Sequence, residues 1–80
     1  MSAVTLEMLL DRFYGEIDRL CQLQDQPATR AAILQLTPAM ALLYLPEGNS
    51  AWNAAKVYEL FAAGDPKGAV LFKLQHGGAL

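Results

Sequence analysis

The sequence predicts an all-α fold: a single small domain of four to five short helices packed around a central apolar helix at residues 39–45. Apolar residues recur at helical spacing near the amino terminus, and three prolines follow polar residues that can cap a helix. Seven consecutive apolar residues lie between Pro38 and Pro46. Because a helix that is apolar on every side has to be covered all round, we expect the other helices to pack on this one.

The composition indicates more apolar side chains than so short a chain can bury. Its 80 residues are 54% hydrophobic and 18% charged, against about 45–50% and about 25% in typical globular domains. This length suits one domain over residues 1–80, with residues 77–80 frayed. We expect the surplus to form a surface that meets another protein or a second copy of the chain.

The first predicted helix begins at Ser2 or Thr5 and runs to about residue 24. Glu16 lies within reach of both Arg12 and Arg19, one helical turn away on either side. Gly15 falls on the polar side. At 100° per residue, one arc of this helix collects the apolar residues, which are Leu6, Leu9, Leu10, Phe13, Ile17, Leu20 and Cys21.

Two further helices are predicted over residues 27–36 and 39–45. Pro27 and Pro38 each suit the first turn of a helix, where the missing N–H has no partner anyway, and Thr37 can cap the second. The alternative is one helix over residues 27–45 that is kinked at Pro38. We favour a break, since a residue before proline is disfavoured in helical geometry.

The fourth helix is predicted over residues 51–63, with Gly64 at its carboxyl end. One face carries Trp52, Lys56 and Glu59. The tryptophan therefore lies among polar positions, where it would be exposed unless the helix is covered on both sides. The opposite face, which we expect to point inward, carries Ala51, Ala54, Val57, Tyr58, Phe61 and Ala62.

The last segment, residues 69–75, fits either a helix or a strand. Its apolar residues alternate with Lys73 as in a strand, but a lone strand needs a partner and nothing else in the chain alternates convincingly. Asp65 followed by Pro66 is a typical start of a helix. We therefore favour a helix here.

The sequence offers no convincing set of catalytic residues. His76, the only histidine, has no acid or thiol near it in sequence, and Cys21 is expected to be a small buried hydrophobe. A thiol enzyme would need these two side chains adjacent in the fold. No glycine-rich phosphate loop and no zinc-ligand spacing occur. We expect neither an enzyme nor a bound metal or cofactor.

Residues 28–45 have the outline of a helix-turn-helix motif, which makes a DNA-binding regulator the alternative function. A recognition helix reads base edges with Arg, Lys, Asn or Gln. The net charge of −2, with six basic residues, also lacks the footprint of a phosphate-binding surface. We therefore expect no nucleic-acid partner, since the second helix would offer only Pro38, Ala39, Met40, Leu42 and Leu43.

The predicted function is that of a non-enzymatic protein–protein interaction protein: an adaptor, an assembly factor or an inhibitor of a larger protein. It would act through exposed apolar helix faces, on another protein or a second copy of itself. No membrane span is expected, because a helix over residues 31–45 would reach only about 22 Å across roughly 30 Å of hydrocarbon. A lone cysteine fits a reducing compartment, hence a cytoplasmic location. The residues expected to bind the partner are Trp52, Met8, Leu23, Lys56 and Glu59.

Overall fold

The computed structural model describes residues 3–76, which form five α-helices and no strand. The all-α prediction is confirmed. The predicted fraying of residues 77–80 lies outside the described residues, as does Ser2. The helices are α1 (Leu6–Gln22), α2 (Pro27–Leu34), α3 (Pro38–Tyr44), α4 (Ser50–Ala62) and α5 (Pro66–Gln75).

Four of the five helices begin at a side chain that accepts a hydrogen bond from a first-turn amide. Thr5 caps α1 and Thr37 caps α3, with oxygen–nitrogen distances of 3.2 and 3.3 Å. Asn49 and Asp65 cap α4 and α5, each at 2.9 Å. These contacts satisfy amides that have no partner within the helix, so the starts of the helices are determined locally.

Both alternatives left open by the sequence are settled. The chain breaks before Pro38: α2 ends at Leu34, and Thr37 is extended with φ −88° and ψ 166°. Residues 69–75 lie within α5 and are helical. In both places the proline and the residue before it define a helix start, as their backbone preferences require.

The turn from α4 to α5 is a Schellman motif. Gly64 has a φ of 84°, which is favourable only for glycine, and its amide donates to the carbonyl of Phe61 at 3.1 Å. The Asp65 amide donates to the carbonyl of Leu60 at 3.0 Å. This pair of bonds satisfies two carbonyls at the end of α4, and it confirms the predicted end of that helix at Gly64.

The prediction that α3 is the centre of the fold is wrong. Pro38 and Ala41 are buried, but Leu43 is 79% exposed and Tyr44 71% exposed. The physical reason is that α3 has only seven residues and packs mainly on α4, so one side of it stays uncovered. The apolar composition of a helix favours burial of its side chains, but it does not determine how many other helices pack against it.

Three of the other helices pack on α4, which contacts α1 most extensively and also α3 and α5, while α2 packs on α1. Alanines lie where these helices meet: Ala51 and Ala55 on α4, Ala41 on α3 and Ala69 on α5 are all fully buried. Side chains this small allow the backbones to approach closely. The rest of the core comes mainly from one row on α1, whose members are Leu9, Phe13, Ile17 and Cys21.

That buried row confirms the predicted inward face of α1, apart from its edge. Leu6 is exposed, and the predicted pairing of Glu16 with two arginines is only half formed. Glu16 Oε1 lies 3.8 Å from Arg19 Nη1. Within residues 3–76, Arg12 makes no ion pair with Glu16 or any other carboxylate. Arg12 is thereby left free to line a cleft at the junction of α1, α4 and α5.

Candidate functional site

An apolar groove runs between the end of α2 and one side of α3, and we call it the α2–α3 groove. Its volume is about 470 Å³, and no charged side chain lines it. Ile33 and Leu36 are buried, whereas Met40 and Tyr44 are exposed. This volume lies within the range of about 300–1,000 Å³ found for ligand pockets. The full lining is Ala32, Ile33, Gln35, Leu36, Met40, Tyr44 and Leu45.

Local contacts hold α3 in place as one wall of this groove. The Thr37 hydroxyl caps its first turn, and Pro38 fixes the backbone at its first position. At the other end, the Leu45 amide donates to the carbonyl of Ala41 at 2.9 Å. The last carbonyls of a helix have no partner within it. One of them, the carbonyl of Leu42, accepts a hydrogen bond from Trp52 Nε1 at 3.2 Å.

Trp52 is therefore half-buried against α3, although its neighbours on that face of α4 are polar. Its ring also faces Phe72 of α5, with 6.1 Å between the ring centres. The helix α4 is covered on both sides, and this is the condition under which the sequence allowed Trp52 to be buried. Lys56 and Glu59, one and two turns further along α4, are half-buried as well. A role for these three residues in binding a partner stays a prediction.

Met8 and Leu23, the other two residues expected to bind a partner, are both exposed, at 50% and 74%. They lie near opposite ends of α1, about 22 Å apart along the helix axis at 1.5 Å per residue. Leu23 lies at a small depression beside Glu16 and Arg19, away from the α2–α3 groove.

The sequence did carry a signal for the groove. The two prolines limit α3 to two turns, and Met40 and Tyr44 are spaced one turn apart on it. A helix about 10 Å long can bury only one side against a single neighbour. We did not predict the groove, because we expected residues 39–45 to be covered on all sides.

The two groups considered for thiol chemistry have separate surroundings. Cys21 is buried, and its Sγ donates to the carbonyl of Arg30 at 3.7 Å. The His76 ring stacks on Phe72, with 4.2 Å between the ring centres. Within the described residues no hydrogen bond joins the thiol and the imidazole. The nucleophile–base contact that thiol chemistry needs is not formed here.

The helices proposed for a helix-turn-helix motif pack on different partners: α2 on α1, and α3 on α4. The α3 surface open to solvent consists of Ala39, Met40, Leu43 and Tyr44. None of these side chains is of the kind that reads base edges in the major groove. The geometry of this pair therefore creates an apolar groove rather than a charged reading surface.

The chain matches no protein-family model, no curated protein and no solved structure. Among residues 3–76, no three side chains of His, Cys, Asp or Glu come together as metal ligands. No helix in that part of the chain is long and apolar enough to cross a membrane.

Proposed function

We propose that this chain is a non-enzymatic protein–protein interaction protein, acting as an adaptor, assembly factor or inhibitor of a larger protein. Its α2–α3 groove takes the apolar face of an amphipathic helix from the partner. The observation that carries this proposal is the groove itself: apolar walls, no charged lining, and Met40 and Tyr44 left exposed. Free, buried Cys21 supports placing the protein in the cytoplasm, where thiols stay reduced.

A helix suits the groove because of its length and shape. A groove bounded by two helices is one of the recurring modes of peptide recognition, in which side chains at positions i, i+3 or i+4, and i+7 insert as anchors. The two turns of α3 extend about 10 Å, which matches the rise over seven residues of a bound helix. Because no charge lines the groove, the anchors have to be apolar.

A second copy of the chain fits the groove less well than a short helix does. A stable interface takes about 20–30 residues from each side, whereas seven residues line the groove. The other exposed large apolar side chains include Leu34 on α2 and Leu43 on α3, and the rest lie on α1, directly after α1, or on α5. The groove is therefore large enough for one inserted helix and too small to hold two copies together by itself.

The expected affinity is modest. Complete burial of an apolar side chain contributes about 1.5–3 kcal/mol, and Met40 and Tyr44 would each give up only their exposed part. Ordering of both partners offsets much of this gain. We therefore expect weak, reversible binding between the millimolar and micromolar ranges, about −4 to −8 kcal/mol.

The test uses an amphipathic helical peptide with leucines at i, i+4 and i+7, and a scrambled peptide of the same composition. Amide chemical shifts measured by NMR should change around Ile33, Leu36 and Met40 with the first peptide only. Met40→Glu should abolish binding, because it places a charge on an apolar wall. The matched control is Leu43→Glu, which puts the same charge on the exposed α3 surface outside the groove and should leave binding intact.

Several results would contradict the proposal. Shifts that map to α5 instead of the groove would move the binding surface elsewhere. Equal loss of binding in both variants, with unchanged circular dichroism, would show that the groove has no special role. Sedimentation of the free chain adds a further check: a dimer whose formation Met40→Glu abolishes would make a second copy the occupant.

The alternative function, DNA binding through residues 28–45, gains no support from the geometry of α2 and α3. Retention on duplex DNA at low salt tests it directly. The apolar α3 surface and the net charge of −2 should give no retention. Strong retention that falls steeply with added salt would replace the proposal with a DNA-binding regulator.

A further inference from the structure

A second cleft, at the junction of α1, α4 and α5, has the opposite character from the groove. We call it the polar cleft. Its volume is about 200 Å³, room for about six or seven waters at roughly 30 Å³ each. It shares no residue with the α2–α3 groove. Its lining is Arg12, Glu16, Ser50, Asn53, Ala54, Phe72, Lys73 and His76.

The charges of the polar cleft favour an anion. Arg12 and Lys73 are cations, while the one carboxylate in the lining belongs to Glu16 and pairs with Arg19 outside the cleft. Neither cation forms an ion pair within residues 3–76. Burial lowers the pKa of Lys73 below its usual 10.5, and the nearby Arg12 guanidinium lowers it further, against an opposing effect of Glu16. Two cations therefore line the cleft beside a single carboxylate, which Glu16 also shares with Arg19.

A hydrogen-bond acceptor is also left without a partner in this cleft. The side-chain oxygen of Asn53, Oδ1, is buried and accepts no hydrogen bond from any described residue. Its backbone amide is used within the helix start, where it donates to the carbonyl of Asn49 at 2.8 Å. Buried polar atoms in proteins are almost always hydrogen-bonded. A donor for Asn53 Oδ1 therefore has to come from outside the described residues, as a water or a bound molecule.

We propose that the polar cleft binds a small oxyanion that carries its own proton donor, a protonated phosphate group being the simplest example. The Arg12 guanidinium and the Lys73 ammonium hold its oxygens, with a ring N–H of His76 as a further donor. Its P–O–H group donates to Asn53 Oδ1. A cleft of about 200 Å³ takes one phosphate group, so the ligand is free hydrogen phosphate or the phosphate end of a small ester.

The stacking of His76 on Phe72 supports this arrangement. With 4.2 Å between centres and 25° between planes, the imidazole is held flat against the phenyl ring. Because both rings line the cleft, its wall at this end of α5 is ordered before any ligand arrives. Preformed donors need less ordering when the anion binds.

The experiment is a titration of the whole chain with inorganic phosphate, sulfate and phosphoserine at constant ionic strength, followed by NMR. Phosphate should give saturable shifts of the Asn53 side-chain amide, and it should raise the pKa of Lys73, which faces Arg12, Glu16 and His76. Sulfate carries no proton at neutral pH, so it should bind more weakly. Comparing phosphoserine with phosphate separates a phosphate ester from the free ion.

Substitutions of the lining residues test whether phosphate binds in the polar cleft. Arg12→Gln and Lys73→Gln should each weaken phosphate binding about tenfold, the effect of losing one charge-assisted hydrogen bond. The control is Lys67→Gln, which removes the same charge from an exposed position on α5 and should change nothing. Asn53→Ala should abolish the preference for phosphate over sulfate.

Three outcomes would overturn the proposal. One is the absence of saturable shifts with any of the three anions. Another is an equal weakening in Lys67→Gln and Lys73→Gln, which would indicate general charge attraction. The third is equal affinity for sulfate and phosphate in the unmodified chain, which would remove the role given to Asn53 Oδ1. None of these results bears on the proposed function, because Met40→Glu and Leu43→Glu test the α2–α3 groove, which shares no residue with the polar cleft.

Discussion

Replacing Ile17 and Leu43 separately with alanine tests which helix organises the core. Ile17 of α1 is 1% exposed and packs in the cluster that includes Ala51 and Ala55 of α4. Leu43 of α3 is 79% exposed. Both changes remove apolar atoms from a helix, and alanine has the higher helix propensity in each case, so a loss of stability reports the loss of buried contacts. If α4 and the buried row of α1 form the core, only the first change should destabilise the fold.

The expected difference is large for so small a protein. Truncating a buried isoleucine to alanine costs about 2–5 kcal/mol, whereas an exposed substitution changes stability by no more than about 0.5 kcal/mol. At about 0.05–0.15 kcal/mol per residue, a chain of this length has a total stability of roughly 4–12 kcal/mol. Ile17→Ala therefore removes a substantial share of it and should lower Tm by at least about 8 °C.

Urea denaturation followed by far-ultraviolet circular dichroism measures both variants. We expect an unchanged slope m and a lower midpoint for Ile17→Ala, with Leu43→Ala close to the unmodified chain. An equal loss in Leu43→Ala would refute the reasoning, because it would show that α3 is covered after all. Repeating the measurement over a range of protein concentrations tells whether that cover comes from a second copy.

Two further predictions concern backbone and charge. Gly15 lies on α1 with open space at its Cβ position, so Gly15→Ala should stabilise the fold by up to about 1 kcal/mol. Gly64→Ala should destabilise the fold by about 1–2 kcal/mol, because φ is 84° at this position. The midpoints of urea denaturation measure both effects. Burial and a neighbouring guanidinium lower the pKa of Lys73 below 10.5. Between the folded pKa and 10.5 the unfolded chain binds more protons, so stability should rise slightly with pH across that window, and Lys73→Met should remove this rise from the pH profile of the urea midpoint.

The parts of the fold that could be predicted from sequence are those set by neighbouring residues. The row of α1 at four-residue spacing, the threonine caps and the Schellman turn at Gly64 each depend on a few consecutive positions. Pro38 belongs to the same class, since its effect on Thr37 acts through one peptide bond. These signals give helix type and boundaries without any knowledge of which helices touch.

Burial could not be predicted in the same way, and Leu43 shows why. Its neighbours in sequence are apolar, which favours a covered segment, yet cover depends on how many helices reach α3. Trp52 gives the opposite case: it lies among polar positions on α4 but is packed between α3 and Phe72. In both cases the packing of distant helices overrides the local pattern.

The polar cleft could not be predicted from the sequence for a related reason. Arg12, Asn53 and Lys73 come from three helices, and no spacing in the chain connects them. Each one alone has an ordinary interpretation as part of a solvated helix face. Only the convergence of α1, α4 and α5 turns them into a set with two cations and an unpaired acceptor.

The position of Trp52 also decides which mutations can report on partner binding. Its indole N–H satisfies a carbonyl at the end of α3, and a seven-residue helix is too short to be stable without such tertiary contacts. Removing this ring would release the wall that carries Met40 and Tyr44, so Trp52→Ala would weaken a partner bound in the groove whether or not the ring touches it. A loss of binding in that variant cannot distinguish contact from support. Met40→Glu paired with Leu43→Glu can, because both keep the indole hydrogen bond and differ only in whether the new charge faces the groove.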